Sequence, residues 1–285
     1  MRKFLCVAFV LNIFGLFFFS DTNIAEGVVT LPWSTTFDCP DWTSYSQTLD
    51  CDDLDKGGGW TCDSCTPSKY EEIISEANYS GGEGGKGVRH YLGSVGADNS
   101  GSVVIYFPSG VTEFWMRFYV RFESGWVWTG LQIYKLLYFY WQGGGNPCMG
   151  MPVWGDRIWL SQSVDPIVDV VCGWYDMYPT GTSDGSWHLY EVHLKASTGS
   201  NYDGVFQTWI NGVLKVDEDA LQYSDVGTGM DHIMIGSNGN VWSAEGCHAI
   251  DYDDIAISTT GYIGPLGGSG STSISSPANL TGTLQ

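Results

Sequence analysis

The stretch Glu113-Phe114-Trp115-Met116-Arg117-Phe118-Tyr119-Val120-Arg121-Phe122 alternates apolar residues with rings and guanidinium groups. A strand sends successive side chains to opposite faces, so Phe114, Met116, Phe118, Val120 and Phe122 share one face and Trp115, Arg117, Tyr119 and Arg121 the other. Flat rings beside planar cations suit a ligand with C–H faces and with hydroxyl or carboxylate groups, which is the chemistry of sugars. Similar mixed sets occur in Gln132, Tyr134, Leu136, Tyr138 and Tyr140, in Glu191, His193 and Lys195, and in Gln207 and Trp209.

Two uses follow. For binding, Trp115, Tyr119, Tyr138 and Trp209 would stack on sugar faces while Arg117, Arg121, Gln132, Glu191 and Gln207 hydrogen-bond hydroxyls. For catalysis, β-elimination on a uronate needs a group that neutralises the carboxylate, a base for the C5 proton and an acid for the leaving oxygen. Arg117 with Gln132 suits the first role, and His193 or Tyr138 the others. Glycoside hydrolysis, a third option, needs two facing carboxylates, and the sequence places none of Glu113, Glu123 and Glu191 opposite another. His90, His188, His232 and His248 read as strand or loop residues rather than ligands.

The elements that must position these groups are strands. The 38 glycines and the 15% aromatic content favour many short strands over long helices. Strands are expected at Trp33–Phe37, Tyr70–Ala77, Gly87–Gly93, Ser102–Phe107, Glu113–Phe122, Leu131–Trp141, Arg157–Ser163, Ile167–Trp174, Trp187–Lys195, Val205–Ile210, His232–Gly236 and His248–Ile257. Tyr190, Val192, Leu194, Phe206 and Ile210 fit a core. The simplest architecture is all-β, a two-sheet antiparallel β-sandwich of jelly-roll type with a concave ligand-facing sheet.

Residues 1–27 have the layout of a secretory signal peptide, a basic start followed by an apolar run. A secreted or periplasmic protein with no membrane partner after cleavage is therefore expected. The chain carries 32 acids against 12 bases, a net charge of −20 that repels nucleic acid. Cysteines in such a compartment pair, and pairing is expected among Cys39, Cys51, Cys62 and Cys65 and between Cys148 and Cys172. Residues 28–263 would form the recognition domain and 264–275 a Gly/Ser linker. Residues 276–285 resemble the opening strand of a fibronectin type III module, which makes further C-terminal domains a possible partner.

The segment from Trp187 to His193 continuing through Asp203 to Gly212, with Ile250-Asp251-Tyr252-Asp253-Asp254-Ile255-Ala256-Ile257, resembles the concanavalin A-like lectin/glucanase superfamily, including laminin G-like modules. With the central strand and Lys135-Leu136-Leu137 it looks like the jelly-roll polysaccharide lyases. The resemblance implies a polysaccharide partner, and it adds Lys135 as a catalytic candidate. Parity puts Lys135 on the core side unless a bulge re-aims it. Alginate lyases of this fold carry Arg-Ser-Glu-Leu and Gln-Ile/Val-His strands. Arg89-His90-Tyr91-Leu92 and Gln132-Ile133-Tyr134 match these in part, with Tyr134 in place of the His. No Glu-x-Asp of the laminarinase type occurs. The superfamily also implies a structural Ca²⁺, for which Asp38, Asp251 and Asp253, with Asp254, offer hard oxygen ligands. The same acids have a second reading, in which Asp253 or Asp254 hydrogen-bonds a loop.

Overall fold

The computed structural model describes, with side chains, residues 28–38, 65–93, 101–126, 136–140, 183–199, 201–221, 229–236 and 247–266. Residues 55–57, 132–135, 141, 149–154, 157–162, 173–176 and 237–241 are described as strand backbone. In chain order the strands are β1 (Trp33–Thr35), β2 (Asp55–Gly57), β3 (Glu72–Ile74), β4 (Gly87–Leu92), β5 (Ser102–Tyr106), β6 (Glu113–Phe122), β7 (Gln132–Trp141) and β8 (Met149–Trp154). They continue with β9 (Arg157–Gln162), β10 (Gly173–Asp176), β11 (Trp187–Lys195), β12 (Gly204–Ile210), β13 (Val213–Leu221), β14 (Met230–Val241) and β15 (His248–Ser258).

Two antiparallel sheets form a jelly-roll sandwich. The eight-stranded sheet runs β13-β12-β11-β6-β15-β4-β3, with β1 also paired to β15. The seven-stranded sheet runs β10-β9-β8-β7-β14-β5-β2. The core between them is made by the alternating apolar residues. Phe114, Met116, Phe118, Val120 and Phe122 of β6 are all buried, as are Tyr190, Val192 and Leu194 of β11 and Phe206 and Ile210 of β12. From the opposite sheet come Val103 and Ile105, Leu137 and Phe139, and Ile233 and Ile235. Phe114 meets Phe139 across the sandwich with ring centroids 5.8 Å apart.

Local chemistry fixes several connections. Asn211 and Gly212 both adopt positive φ, 50° and 76°, between the paired residues Ile210 and Val213. This is the two-residue hairpin turn whose twist matches the strands it joins, and it builds β13 onto the sheet edge. In β7 the alternation breaks, because the register against β8 shifts between Lys135 and Tyr138. Leu136, expected on the polar-aromatic face, is fully buried beside Leu137.

The cysteine expectation is corrected at Cys65. It bonds Cys247, 182 residues away, rather than a neighbour in its own loop. Cys65 precedes edge strand β3 and Cys247 precedes β15, and both strands flank β4, so the sheet brings together what the chain separates. Cys39, Cys51, Cys62, Cys148 and Cys172 lie outside the described residues. Gly264 and Leu266, expected in the linker, are hydrogen-bonded to the eight-stranded sheet.

Candidate functional site

The expected site residues do not line one trough. Trp115, Arg117, Tyr119, Arg121, Glu191, His193, Gln207 and Trp209 lie on β6, β11 and β12 of the eight-stranded sheet, whereas Gln132, Lys135 and Tyr138 lie on β7 of the other. Alternation separates a strand's core face from its outer face. A sandwich has two outer faces, pointing in opposite directions, and periodicity does not tell them apart.

On the eight-stranded sheet the outer face is covered by its own chain. Residues 259–266 run across it as a strap. Gly264 N donates to Glu191 Oε1 at 3.1 Å and Tyr262 OH donates to Glu191 Oε2. Arg117 Nη1 donates to the Gly264 carbonyl at 3.2 Å, and Leu266 N donates to the Tyr119 hydroxyl at 3.2 Å. The loop ring of Tyr79 stacks on Tyr119 with centroids 4.0 Å apart. Only 9% of Arg117, 2% of Glu191 and 5% of Tyr119 remains exposed, so none of the three has a surface left for a glycan. Burial accordingly pulls the Arg117 guanidinium down and pushes the Glu191 carboxyl up from their ordinary values.

The remaining expected groups on this face are also engaged. Both ring nitrogens of His193 face acceptors, Nε2 toward Glu113 Oε1 and Nδ1 toward Gln207 Oε1, each at 2.9 Å. Gln207 Nε2 donates onward to Asp217 Oδ1 at 2.7 Å, and the Trp115 ring stacks on His193 at 4.3 Å. Both ring nitrogens of His193 are thus engaged by side chains of the same sheet. Trp209 meets the Tyr262 ring edge-on at 5.7 Å. Arg121 lies 4.8 Å over the Trp187 ring and donates through Nε to Asp251 Oδ2 at 2.9 Å.

The acids expected to bind calcium divide in the same way. Asp251 takes a two-pronged contact from Arg89, at 2.6 and 2.9 Å, as well as the bond from Arg121. Charge-assisted bonds of this kind use its oxygens, so it is not placed as a metal ligand. Asp253, Asp254 and Asp38 instead hold the glycine-rich loop 79–85, accepting from the amides of Tyr79 at 2.6 Å, Glu83 at 3.3 Å and Gly85 at 2.8 Å. The loop comes so close that a Cβ on Gly82 would fall 1.6 Å from Asp254 Oδ2. Burial pushes Asp253 up to about 8, with the loop amides opposing and the neighbouring acids adding to the rise. Among the described residues no three His, Cys, Asp or Glu side chains already form a metal-binding group. The buried carboxylate oxygen Asp254 Oδ2 has no hydrogen-bond partner among the described residues.

The seven-stranded sheet presents a different outer face. Cross-strand register sets His232 of β14 opposite Tyr106 of β5 on one side and Tyr140 of β7 on the other. The three rings form one row, with His232 stacked on Tyr140 at 4.2 Å and tilted against Tyr106 at 5.1 Å. Asp231 Oδ2 lies 2.8 Å from His232 Nδ1. The next row pairs Met234 with Val104 and Tyr138. The Tyr138 and Tyr140 rings lie 6.0 Å apart, and burial pushes the Tyr138 phenol well above the usual range, holding it protonated. On the same strand Lys135 pairs with Ser237 and Pro152, and Gln132 with Val241.

Sequence reasoning missed His232 and Tyr106. The signal was present in Met230-Asp231-His232-Ile233-Met234-Ile235, where buried Ile233 and Ile235 force His232 and Met234 to the opposite face.

No family model matches the chain, and no curated protein matches it. Solved structures do. A double mutant of alginate lyase Aly36B in complex with alginate tetrasaccharide superposes with a TM-score of 0.54 at 18% identity, over 82% of this chain and 100% of that one. The endo-β-1,4-glucuronan lyase of the fungus Trichoderma reesei gives 0.53 at 16%, over 67% and 87%. The PL-14 alginate lyase from Aplysia kurodai gives 0.51 at 14%, over 81% and 100%. At these identities the likeness is one of fold. The chain has the same jelly-roll β-sandwich fold as these structures.

Proposed function

We propose that the protein is secreted and binds a polysaccharide on the outer face of its seven-stranded sheet. The observation that carries this reading is the row Tyr106–His232–Tyr140, three half-buried rings in cross-strand register. Such a row offers successive π-faces to the C–H faces of a sugar chain, and Asp231 at its side accepts hydroxyl hydrogens. Secretion is supported by the leader-like residues 1–27 and by the Cys65–Cys247 disulfide. No helix among the described residues is long and apolar enough to cross a membrane. Affinity electrophoresis against a polysaccharide panel tests the reading. Retardation by at least one polymer, lost in Tyr140→Ala and kept in Trp115→Ala, is expected; loss in Trp115→Ala alone would return the site to the other sheet.

The second reading, a lyase, is favoured by one observation, the half-buried Tyr138 phenol beside the row, its ring 6.0 Å from that of Tyr140. In β-elimination a base removes the C5 proton of a uronate, the electron pair forms the C4=C5 double bond, and the C4–O4 bond breaks as an acid protonates O4. Tyr138 would be that acid. Gln132 would face the carboxylate and Lys135 would take the proton, while Arg117 and His193 leave the list for the reasons given above. Absence of an ultraviolet-absorbing unsaturated product on every uronate polymer tested ends this reading.

A structural calcium ion is proposed only at the loop 79–85 end, held by Asp254 Oδ2 with Asp253 and Asp38. It would neutralise buried carboxylates there and take no part in glycan chemistry. A melting temperature unchanged by EDTA removes it.

A further inference from the structure

We propose that the glycan lying on the Tyr106–His232–Tyr140 row is neutral, carrying a hydroxymethyl group rather than a carboxylate at C6. This rests on the polysaccharide reading above and narrows its substrate class. The argument is one of charge placement. The seven strands of this sheet contain three basic residues, Lys56, Lys135 and Arg157, and three acidic ones, Asp55, Asp176 and Asp231. The sheet is therefore neutral in sum, and the chain around it carries −20. A polyuronate bears one negative charge per residue, so a face that captures it needs a surplus of cations, which also speeds the encounter.

Several other cations of the chain lie on the eight-stranded sheet or are paired there. Arg89 and Arg121 share Asp251, Arg117 is beneath the strap, and Lys69 lies 3.5 Å from Glu72. Lys195 and Lys215 belong to β11 and β13 of the opposite sheet. The row itself carries rings and one carboxylate. Ring stacking on sugar C–H faces needs no ligand charge. Asp231 accepts from hydroxyl groups and repels a carboxylate set over the same row. A neutral pyranose gains both contacts; a uronate gains the first and is opposed by the second.

The test uses the full-length secreted protein and oligosaccharides matched in length and linkage that differ only at C6. One pair is a β-1,4-glucan with its β-1,4-glucuronan, and a second is a β-1,4-mannan with its β-1,4-mannuronan. Calorimetric titration should show a neutral member bound about tenfold or more tightly than its uronate partner. That affinity should also stay level as salt rises, since no charge pairing is being screened. Equal affinities within the bound pair, or a tighter uronate whose binding weakens with salt, overturn the proposal while the polysaccharide reading stands. Failure of all four to bind the protein, together with a panel in which no polymer retards it, overturns both. Asp231→Asn supplies a second measurement, and it should narrow the neutral-to-uronate ratio; an unchanged ratio counts against the charge argument.

Discussion

The two outer faces of the sandwich are built from similar residues and are covered to different extents. On the eight-stranded sheet, rings and charged groups are closed off by the strap 259–266 and by Tyr79, so Arg117, Tyr119 and Glu191 are buried. On the seven-stranded sheet, Tyr106, His232 and Tyr140 keep part of their surface open. Composition does not separate a binding face from a docking face. On the eight-stranded face, the segment 259–266 of the same chain lies over these groups and buries them.

The comparison can be broken most sharply at Glu191. Its two oxygens take Tyr262 OH and Gly264 N, and it offsets the buried Arg117. Glu191→Ala should therefore cost about 3–5 kcal/mol of stability, as loss of one partner from a buried charged network does, and leave glycan affinity intact. Urea unfolding with parallel binding measurements checks this, and a stable variant that no longer binds would reverse the assignment of the two faces. On the other sheet, Tyr140→Ala and His232→Ala should each weaken glycan binding by about 2 kcal/mol, the scale of an aromatic anchor, with a smaller effect on unfolding. Equal loss of stability and affinity would make the row a packing feature.

A pH series sharpens the contrast further. Because burial raises the Glu191 carboxyl, the folded protein holds that proton more strongly than the unfolded chain. The associated stability is full below the ordinary value of 4.5 and declines as pH rises through the folded value. Glu191→Gln should flatten that decline in thermal melts across the acid-to-neutral range. The smallest effect is expected for Trp115→Ala, which should change glycan affinity by less than about 0.5 kcal/mol, the range for substitutions away from a contact.

Much of the fold was legible because it rests on period-two burial. Phe114 through Phe122, Tyr190 through Leu194, and Phe206 with Ile210 all face the core as their alternation requires. Strands β2, β8 and β13 were not read. β13, Val213 to Leu221, is an edge strand rich in acids, with Val213 exposed at 56%, so its sequence shows little of a core face. The site was less legible for a geometric reason. Arg117 and Tyr138 each lie on the non-core face of their strand, as their parity indicates, yet assigning them to one trough required knowing that β6 and β7, neighbours in sequence, belong to different sheets. The strap was hidden for a different reason, since Gly264-Pro265-Leu266 has the composition of a linker and is held by backbone groups that carry no side-chain signature.

The strap also fixes where a handle can be attached. Leu266 is tied to Tyr119 on the eight-stranded sheet, on the side opposite His232. A biosensor tether or bead coupling placed after that residue leaves the aromatic row pointing into solution, whereas coupling through lysines carries no such guarantee.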